Sequence, residues 1–369
     1  MGDPFLLTYP GIDLMRNALL AWLVLPQIIH AASIQPLGNF LSSGISSDGS
    51  AVVGTGSGLQ GNRPALWRNG AVTILDGLDD QEHVFAQNIS PDGTTVVGED
   101  YNVIGYRWRE ATGYQSIPPL GIVWATSEDG NILVGQSTDG AFRWTENGYE
   151  HITTIVGGGS AESAHDISMD GSTIVGNGSR SNGQIGIVYR WSEATGAVSI
   201  GEYPYGQAQG ALATNATGTI VVGSTVINGI EEAFRWSESD GLVVLGHLPN
   251  SVEDLGSTTA AVAVADDGSL IIGNESVTAG STGEFAWTPT GGIQPIDDFL
   301  LDEYGLDISD WTLHYLTDMT PNGQFIIGNG SHPQYGDNVA FRIAIPEPCS
   351  MTLAIFSLLA ARQSLKRRR

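Results

Sequence analysis

An all-β repeat fold is what this 369-residue sequence predicts, and three observations predict it. One short run of residue types recurs seven times between Gly44 and Ile343; each copy turns on an Asp-Gly-type pair; and each carries a Val-Val-Gly or Ile-Ile-Gly run ahead of an aromatic segment. The turns are Asp48-Gly49, Asp92-Gly93, Asp129-Gly130, Asp170-Gly171, Thr217-Gly218, Asp267-Gly268 and Asn322-Gly323. Their glycines are 37 to 55 residues apart, around the roughly 40–50 residue spacing of one four-stranded propeller blade. The expected architecture is a seven-bladed β-propeller of four-stranded blades.

Each element of a copy follows from local chemistry. Asp-Gly and Asn-Gly favour tight hairpins when both central residues take positive φ. After the turn, runs such as Ser50–Gly54, Thr94–Gly98, Ser172–Gly176 and Gln324–Gly328 are short, β-branched and ended by glycine, which reads as a strand. The next strand is Gly105-Tyr106-Arg107-Trp108, Ala141-Phe142-Arg143-Trp144, Val188-Tyr189-Arg190-Trp191 or Ala233-Phe234-Arg235-Trp236. Its aromatics at i and i+2 share one face, while the small residue and the arginine take the other. A polar Gly turn and a last strand complete the copy. Sustained 3.6-residue apolar periodicity is absent inside the repeats, so no helix is expected there.

Copy seven ends at Ala340-Phe341-Arg342-Ile343 without its last strand, and the missing piece stands at the other end of the chain. Ser33-Ile34-Gln35-Pro36-Leu37 matches Gly292-Ile293-Gln294-Pro295-Ile296, the last strand of copy six. The N-terminal strand is therefore expected to pair into the last blade and close the ring, which removes two sheet edges.

The two ends read as addresses. A basic start at Met15-Arg16-Asn17, an apolar run from Ala18 to Leu25 and the small-residue exit His30-Ala31-Ala32 describe a signal peptide over 1–32, with Met15 the expected true start. The propeller is assigned to 33–345 and a tail to 346–369. That tail runs Pro346-Glu347-Pro348, a short apolar stretch from Met351 to Ala361, then Arg362, Lys366 and Arg367-Arg368-Arg369. Its apolar stretch is too short to span a roughly 30 Å hydrocarbon core comfortably. It resembles the PEP-CTERM sorting tail. The resemblance implies a Gram-negative-type bacterium, processing by an exosortase, only transient membrane contact, and release to the cell surface or extracellular matrix.

Residues 33–345 resemble the HAF-repeat extracellular proteins, with the Ser-x-Asp-Gly-x-x-x-Val-Gly and Ala-Phe-x-Trp patterns quoted above. That family is defined by its repeats and supplies no active-site residues. Thr217 and Asn322 at the aspartate position, and Ile343 at the tryptophan position, depart from the pattern.

Composition agrees with export. The chain has 40 acidic and 15 basic side chains, for a net charge of −25. A field of that sign repels nucleic acid and anionic lipid, so nucleic-acid binding is set aside. Cys349, the one cysteine, lies in the tail, which removes thiolate metal sites and disulfides from 33–345.

The candidate residues divide by repeat position. Arg107, Arg143, Arg190, Arg235 and Arg342 occupy one position and read as scaffold, each packed between blades and paired with an acid of its neighbour. Asp48, Asp92, Asp129, Asp170 and Asp267 read as turn formers, and Trp67, Trp108, Trp144, Trp191, Trp236 and Trp287 as blade packing. The acidic pairs Asp79-Asp80, Glu231-Glu232, Glu253-Asp254, Asp266-Asp267 and Asp297-Asp298 read as solvated loop charges. Where loops converge they suggest weak Ca²⁺ binding, the sole cofactor expectation. No His-Glu-x-x-His or Gly-x-Ser-x-Gly motif occurs, and Gly56-x-Gly58-x-x-Gly61 leads into Asn62-Arg63-Pro64 rather than a helix. Tyr203, Tyr205, Trp311 and Tyr335 fall outside the repeat pattern and are the candidate ligand-binding aromatics. Two function classes follow. The first is a secreted, non-enzymatic surface or matrix protein presenting loops to exopolysaccharide or a protein partner. The second is a secreted carbohydrate-active enzyme, a glycoside hydrolase or lyase, with acids on its loops.

Overall fold

Each repeat folds as an antiparallel sheet whose strands follow one another along the chain. The computed structural model describes residues 31–346 apart from 59–60, 76–82, 119–120, 182–184, 205–209, 250–257 and 277–281. The first sheet is β2 (Phe40–Ile45), β3 (Ala51–Gly58), β4 (Gly61–Arg68) and β5 (Ala71–Ile74). The second is β6 (Val84–Ile89), β7 (Thr95–Asp100), β8 (Gly105–Arg109) and β9 (Gly113–Ile117). The third is β10 (Gly121–Thr126), β11 (Leu133–Ser137), β12 (Gly140–Thr145) and β13 (Gly148–Ile152). Next, β15 (Ser160–Ile167), β16 (Thr173–Ser179), β17 (Ile185–Ser192) and β18 (Gly196–Pro204) gain a short parallel edge strand, β14 (Ile155–Val156).

Two further modules are joined by a single parallel bridge, Glu231 to Thr258. They are β19 (Gly210–Thr214) to β22 (Gly241–Gly246), through β20 (Ile220–Ile227) and β21 (Ile230–Ser237), and β23 (Thr258–Val264) to β26 (Gly292–Pro295), through β24 (Ile271–Ser276) and β25 (Thr282–Thr288). The last sheet comprises β27 (Thr312–Met319), β28 (Phe325–His332), β29 (Gly336–Ala344) and, beside β29, β1 (Ser33–Gly38). Ile34 pairs with Ile343 and Pro36 with Phe341. The N-terminal strand thus supplies the strand that copy seven lacks.

The turns form differently from the sequence expectation. Glycine alone takes positive φ (Gly49 at 70°, Gly171 at 73°), and the aspartates before these glycines do not. The Gly49 N–H donates to the Ser46 carbonyl at 2.8 Å, so Ser47 and Asp48 are the central residues. Side-chain acceptors explain the choice. Asp48 Oδ1 accepts from Ser46 Oγ at 2.7 Å and from the Ser50 N–H at 2.9 Å, while Ser46 Oγ accepts from the Ala51 N–H at 3.0 Å. Ser90–Asp92, Ser127–Asp129 and Ser168–Asp170 repeat the arrangement. In the fifth copy Asn215 Oδ1 accepts from the N–H groups of both Thr219 and Ile220. One amide there replaces serine and aspartate together, and Thr217 is tolerated.

The Val-Val-Gly strands do not end at their glycine; β3 continues to Gly58 and β16 to Ser179. The glycine serves a close approach. Register shifts between the first and second strands of every module, at Ser42/Gly44, Ala86/Asn88, Val123/Ala125, Ala164/Asp166, Ala211/Ala213, Ala261/Ala263 and Leu316/Asp318. These bulges bend the first strand and re-aim its side chains. They also lay a carbonyl over the neighbouring glycine: a Cβ on Gly135 would stand 1.9 Å from the Ile122 carbonyl oxygen.

Hydrophobic core lies between adjacent sheets. Val53 and Leu66 pack with Ala86, Ile89 and Val96 of the second sheet, and Ile327 and Ala340 pack with Phe40, Val52 and Trp67 of the first. First strands touch in succession: β2 meets β6, β6 meets β10, and so on through β15, β19 and β23 to β27, which touches β2. Among the described residues one helix interrupts this pattern, contrary to the expectation of none inside the repeats. In α1 (Ile296–Tyr304), Ile296, Phe299 and Leu300 are buried at i, i+3 and i+4, Asp297 and Asp298 occupy the first turn, and Gly305 caps the end in the left-handed region. Its single apolar stripe is too brief to read as sustained periodicity.

Candidate functional site

Residues at the repeated positions hold neighbouring sheets together. Arg190 Nε donates to the Gly218 carbonyl at 2.9 Å, Arg107 Nη1 to that of Gly130 at 3.5 Å, and Arg342 to that of Gly49; Arg68, which follows its tryptophan instead of preceding it, reaches the Gly93 carbonyl at 2.5 Å. The turn glycine carbonyl of the next module, rather than an acid, is the recurrent acceptor. An acid of the neighbouring module is used by Arg107, which pairs with Glu146; Arg143 and Arg235 pair with Glu150 and Asp240 of their own sheets. Arg107 lies over the Trp144 ring at 5.1 Å and Arg342 over Trp67 at 4.8 Å, each tryptophan belonging to the next module. Trp67 and Trp144 are buried, and Trp108, Trp191, Trp236 and Trp287 are partly buried.

A cavity of about 220 Å³ lies where the first strands meet, lined by Ser43, Asn88, Thr126, His165, Asp166 and Asp318 among others. Burial pushes both aspartates up to about 7. Their oxygens have partners: Asp166 accepts from the N–H groups of Ile167 and Thr214, both at 2.8 Å, and Asp318 from those of Met319 and Ile45 at 2.7 and 3.1 Å. Each carboxyl therefore ties its module to the next. Burial lowers His165 to about 4; its Nε2 meets Ser163 Oγ at 2.7 Å and its ring stacks on Trp124. This cavity is a structural seam, not a set of free catalytic groups.

The aromatic candidates separate. Tyr203 is 5% exposed, at the end of β18, where it packs over Gly186 and among Val175, Val188, Val221 and Phe234. As a candidate ligand-binding aromatic it is corrected: the ring is buried and fills the notch left by a glycine. Tyr205 lies outside the described residues. Trp311 and Tyr335 do come together, with centroids 6.2 Å apart, and His332 lies 5.0 Å from the first and 4.7 Å from the second. Tyr335 is 41% exposed. Phe341, buried in the last sheet, backs Trp311 edge-on at 5.5 Å, so this aromatic surface has a rigid support.

Trp311 also lines a cleft of about 550 Å³ with Glu284, Asp297, Asp298, Leu301 and Asp307. Sequence reasoning passed over Glu284 and His332. Glu284 did leave a signal, because it occupies the position held by Pro64, Gly105, Ala141, Val188, Ala233 and Ala340 in the other copies. Burial, with Asp297 adding to it, raises its pKa. Among the described residues no group of three or more His, Cys, Asp or Glu is placed to hold a metal ion. Of the acidic pairs, Asp79-Asp80 and Glu253-Asp254 lie outside those residues, while Asp266 accepts from the Ala216 N–H and Glu231 from Ser224 Oγ.

Comparison with known proteins bears on the fold. No family model matches the chain, and no curated protein does. A chain in a crystal structure of the mitotic checkpoint complex superposes with a TM-score of 0.51 at 12% identity, covering 94% of this chain and 97% of that one. TolB from Acinetobacter baumannii gives 0.43 at 11% identity, covering 81% of each chain, and a putative TolB from Agrobacterium tumefaciens gives 0.43 at 12%, covering 70% of this chain and 89% of that one. These neighbours are propellers of the WD40 and TolB types. The first of them places this chain, by fold alone, among propeller-like repeat proteins built from four-stranded antiparallel sheets.

Proposed function

We propose that the chain is an exported, non-enzymatic binding scaffold: a closed seven-bladed propeller over 33–345 that presents loops to extracellular polysaccharide or a surface protein. The unbroken succession of first-strand contacts, from β2 round to β27 and back to β2, supports closure, as does the pairing of β1 with β29. The aromatic surface of Trp311, His332 and Tyr335 carries the binding role. A supported aromatic surface with Tyr335 41% exposed offers ring area on which the apolar face of a sugar stacks. The HAF-repeat and PEP-CTERM resemblances support export, with a leader over 1–32 starting at Met15 and a tail over 346–369 removed by an exosortase. On this reading the mature protein resides on the surface, or in the matrix, of a Gram-negative-type bacterium.

Retention on matrix polysaccharide tests the binding role. Purified protein is expected to co-sediment with insoluble exopolysaccharide, and Tyr335→Ala to weaken retention about tenfold, equivalent to about 1.4 kcal/mol. Equal retention of wild type and variant would remove the aromatic surface from the account. A carbohydrate-active enzyme is the second reading, favoured by the raised pKa of Glu284 beside Asp297. Release of reducing ends from the same polysaccharide would move the assignment to it.

A further inference from the structure

Glu284 is an anomaly the scaffold does not require. Six other copies place a small or apolar residue at its position, and in each of them that residue is buried. Here a carboxyl stands there, 9% exposed, with an Oε1 that has no hydrogen-bond partner among the described residues. Buried polar atoms are nearly always paired, and leaving one unpaired destabilises a fold. The residue lines the same cleft as Trp311, whose rim bears Asp297, Asp298 and Asp307. A volume of about 550 Å³ falls within the roughly 300–1,000 Å³ of small-molecule sites. An aromatic wall suits a sugar ring, and an acidic rim around an unpartnered carboxyl oxygen suits a cation.

Building on the binding role above, we propose that this cleft takes an amine-bearing pyranose, a deacetylated hexosamine unit of a glycan. Trp311 covers the ring face, and the ammonium donates hydrogen bonds to Glu284. The neighbouring aspartates disfavour uronate and sulfated sugars by like-charge repulsion.

Titration calorimetry at pH 6 on the full chain, with a glucosamine hexamer, an N-acetylglucosamine hexamer, a galacturonate hexamer and hexalysine, tests this. The glucosamine hexamer is expected to bind one-to-one and at least tenfold more tightly than the other three. Glu284→Ala restores the residue type of the sister copies, so it is expected to keep or raise the melting temperature while weakening that binding at least tenfold; Trp311→Ala is expected to weaken it as much. Equal binding of the acetylated hexamer or of hexalysine, or unchanged affinity in Glu284→Ala, would overturn the proposal. Retention on polysaccharide that depends on Tyr335 but not on Glu284 would sink this inference and leave the binding role standing. Loss of both would sink both.

Discussion

Asn215 shows what the repeat motif asks of its residues. Its Oδ1 receives two backbone N–H groups that a serine and an aspartate share elsewhere, so the motif is a demand for acceptors inside the turn. The Ser-x-Asp-Gly spacing made the turns legible in the sequence. Their geometry was not, because reasoning from φ preferences overlooked the hydroxyl two residues before the aspartate. Replacing Ser168 by Ala removes the acceptor for the Thr173 N–H and the donor to Asp170. A loss of about 1 kcal/mol is expected in urea unfolding, whereas Thr217→Ala, at a position whose acceptor role Asn215 already fills, is expected to cost less. Titration separates two sets of aspartates. The hydrogen bond from Ser168 holds Asp170 below the usual carboxylate range, and the Ser50 N–H does the same for Asp48. Their folded pKa values are depressed, so their contribution is present above the ordinary carboxylate pKa and is lost as pH falls through the folded values. Asp166 and Asp318 behave oppositely. Raised to about 7 from 3.8, they contribute fully below 3.8, and that contribution disappears as pH rises through about 7. Asp318→Asn cannot titrate, so the decline in urea midpoint between pH 5 and 8 is expected to be shallower in the variant; parallel profiles would exclude Asp318 as its source.

Bulges are the feature of the elements that the sequence concealed. Strand existence followed from β-branched runs, and the order of strands from the repeat. A register shift at one site in seven first strands has no composition of its own: the bulged positions hold Ser43, Gln87, Trp124, His165, Leu212, Val262 and Thr317, which share no chemistry. The partner strand did record it, in the glycine of Val-Val-Gly, although that glycine reads equally well as a strand end. Gly135→Ala distinguishes the two. At a strand end an added methyl would be nearly neutral, but a Cβ 1.9 Å from the Ile122 oxygen must displace backbone. A loss of about 2–3 kcal/mol is expected, typical of overpacking, and is measurable as a lower melting temperature. Gly113→Ala is the control, since it has positive φ but nothing within 4 Å of the added carbon; its cost reports backbone strain alone. The helix α1 escaped the sequence reading for a related reason. Nine residues give one stripe of three buried side chains, and that stripe is legible only once Gly305 is seen as its cap.

At the scale of the whole molecule, closure and charge pull against each other. A chain of net charge −25 repels itself when compact, and the seams between modules offset this with hydrogen bonds from backbone N–H groups and arginines rather than with many ion pairs. Backbone N–H groups of Ser47, Asp92, Glu128, Met169 and Asp266 each reach a carbonyl of the following module. Between the last module and the first, Pro321 has no N–H to give. That seam relies instead on Asp318 to the Ile45 N–H, Asn329 to Ser42 and Phe40, and Arg342 to Gly49 and Trp67. Sequence had marked this seam only through the displaced strand Ser33–Leu37. Solution scattering on residues 33–345 tests the closed ring directly. A compact chain of that length has a radius of gyration of about 20 Å, whereas the same modules stacked as an open rod would be longer in one dimension and give a larger value. Raising the salt concentration screens the self-repulsion and is expected to leave a closed ring's radius unchanged. A radius that starts well above 20 Å and contracts with salt would mean that the seam at Pro321 is open, and with it every inference that depends on loops from different modules meeting at one end.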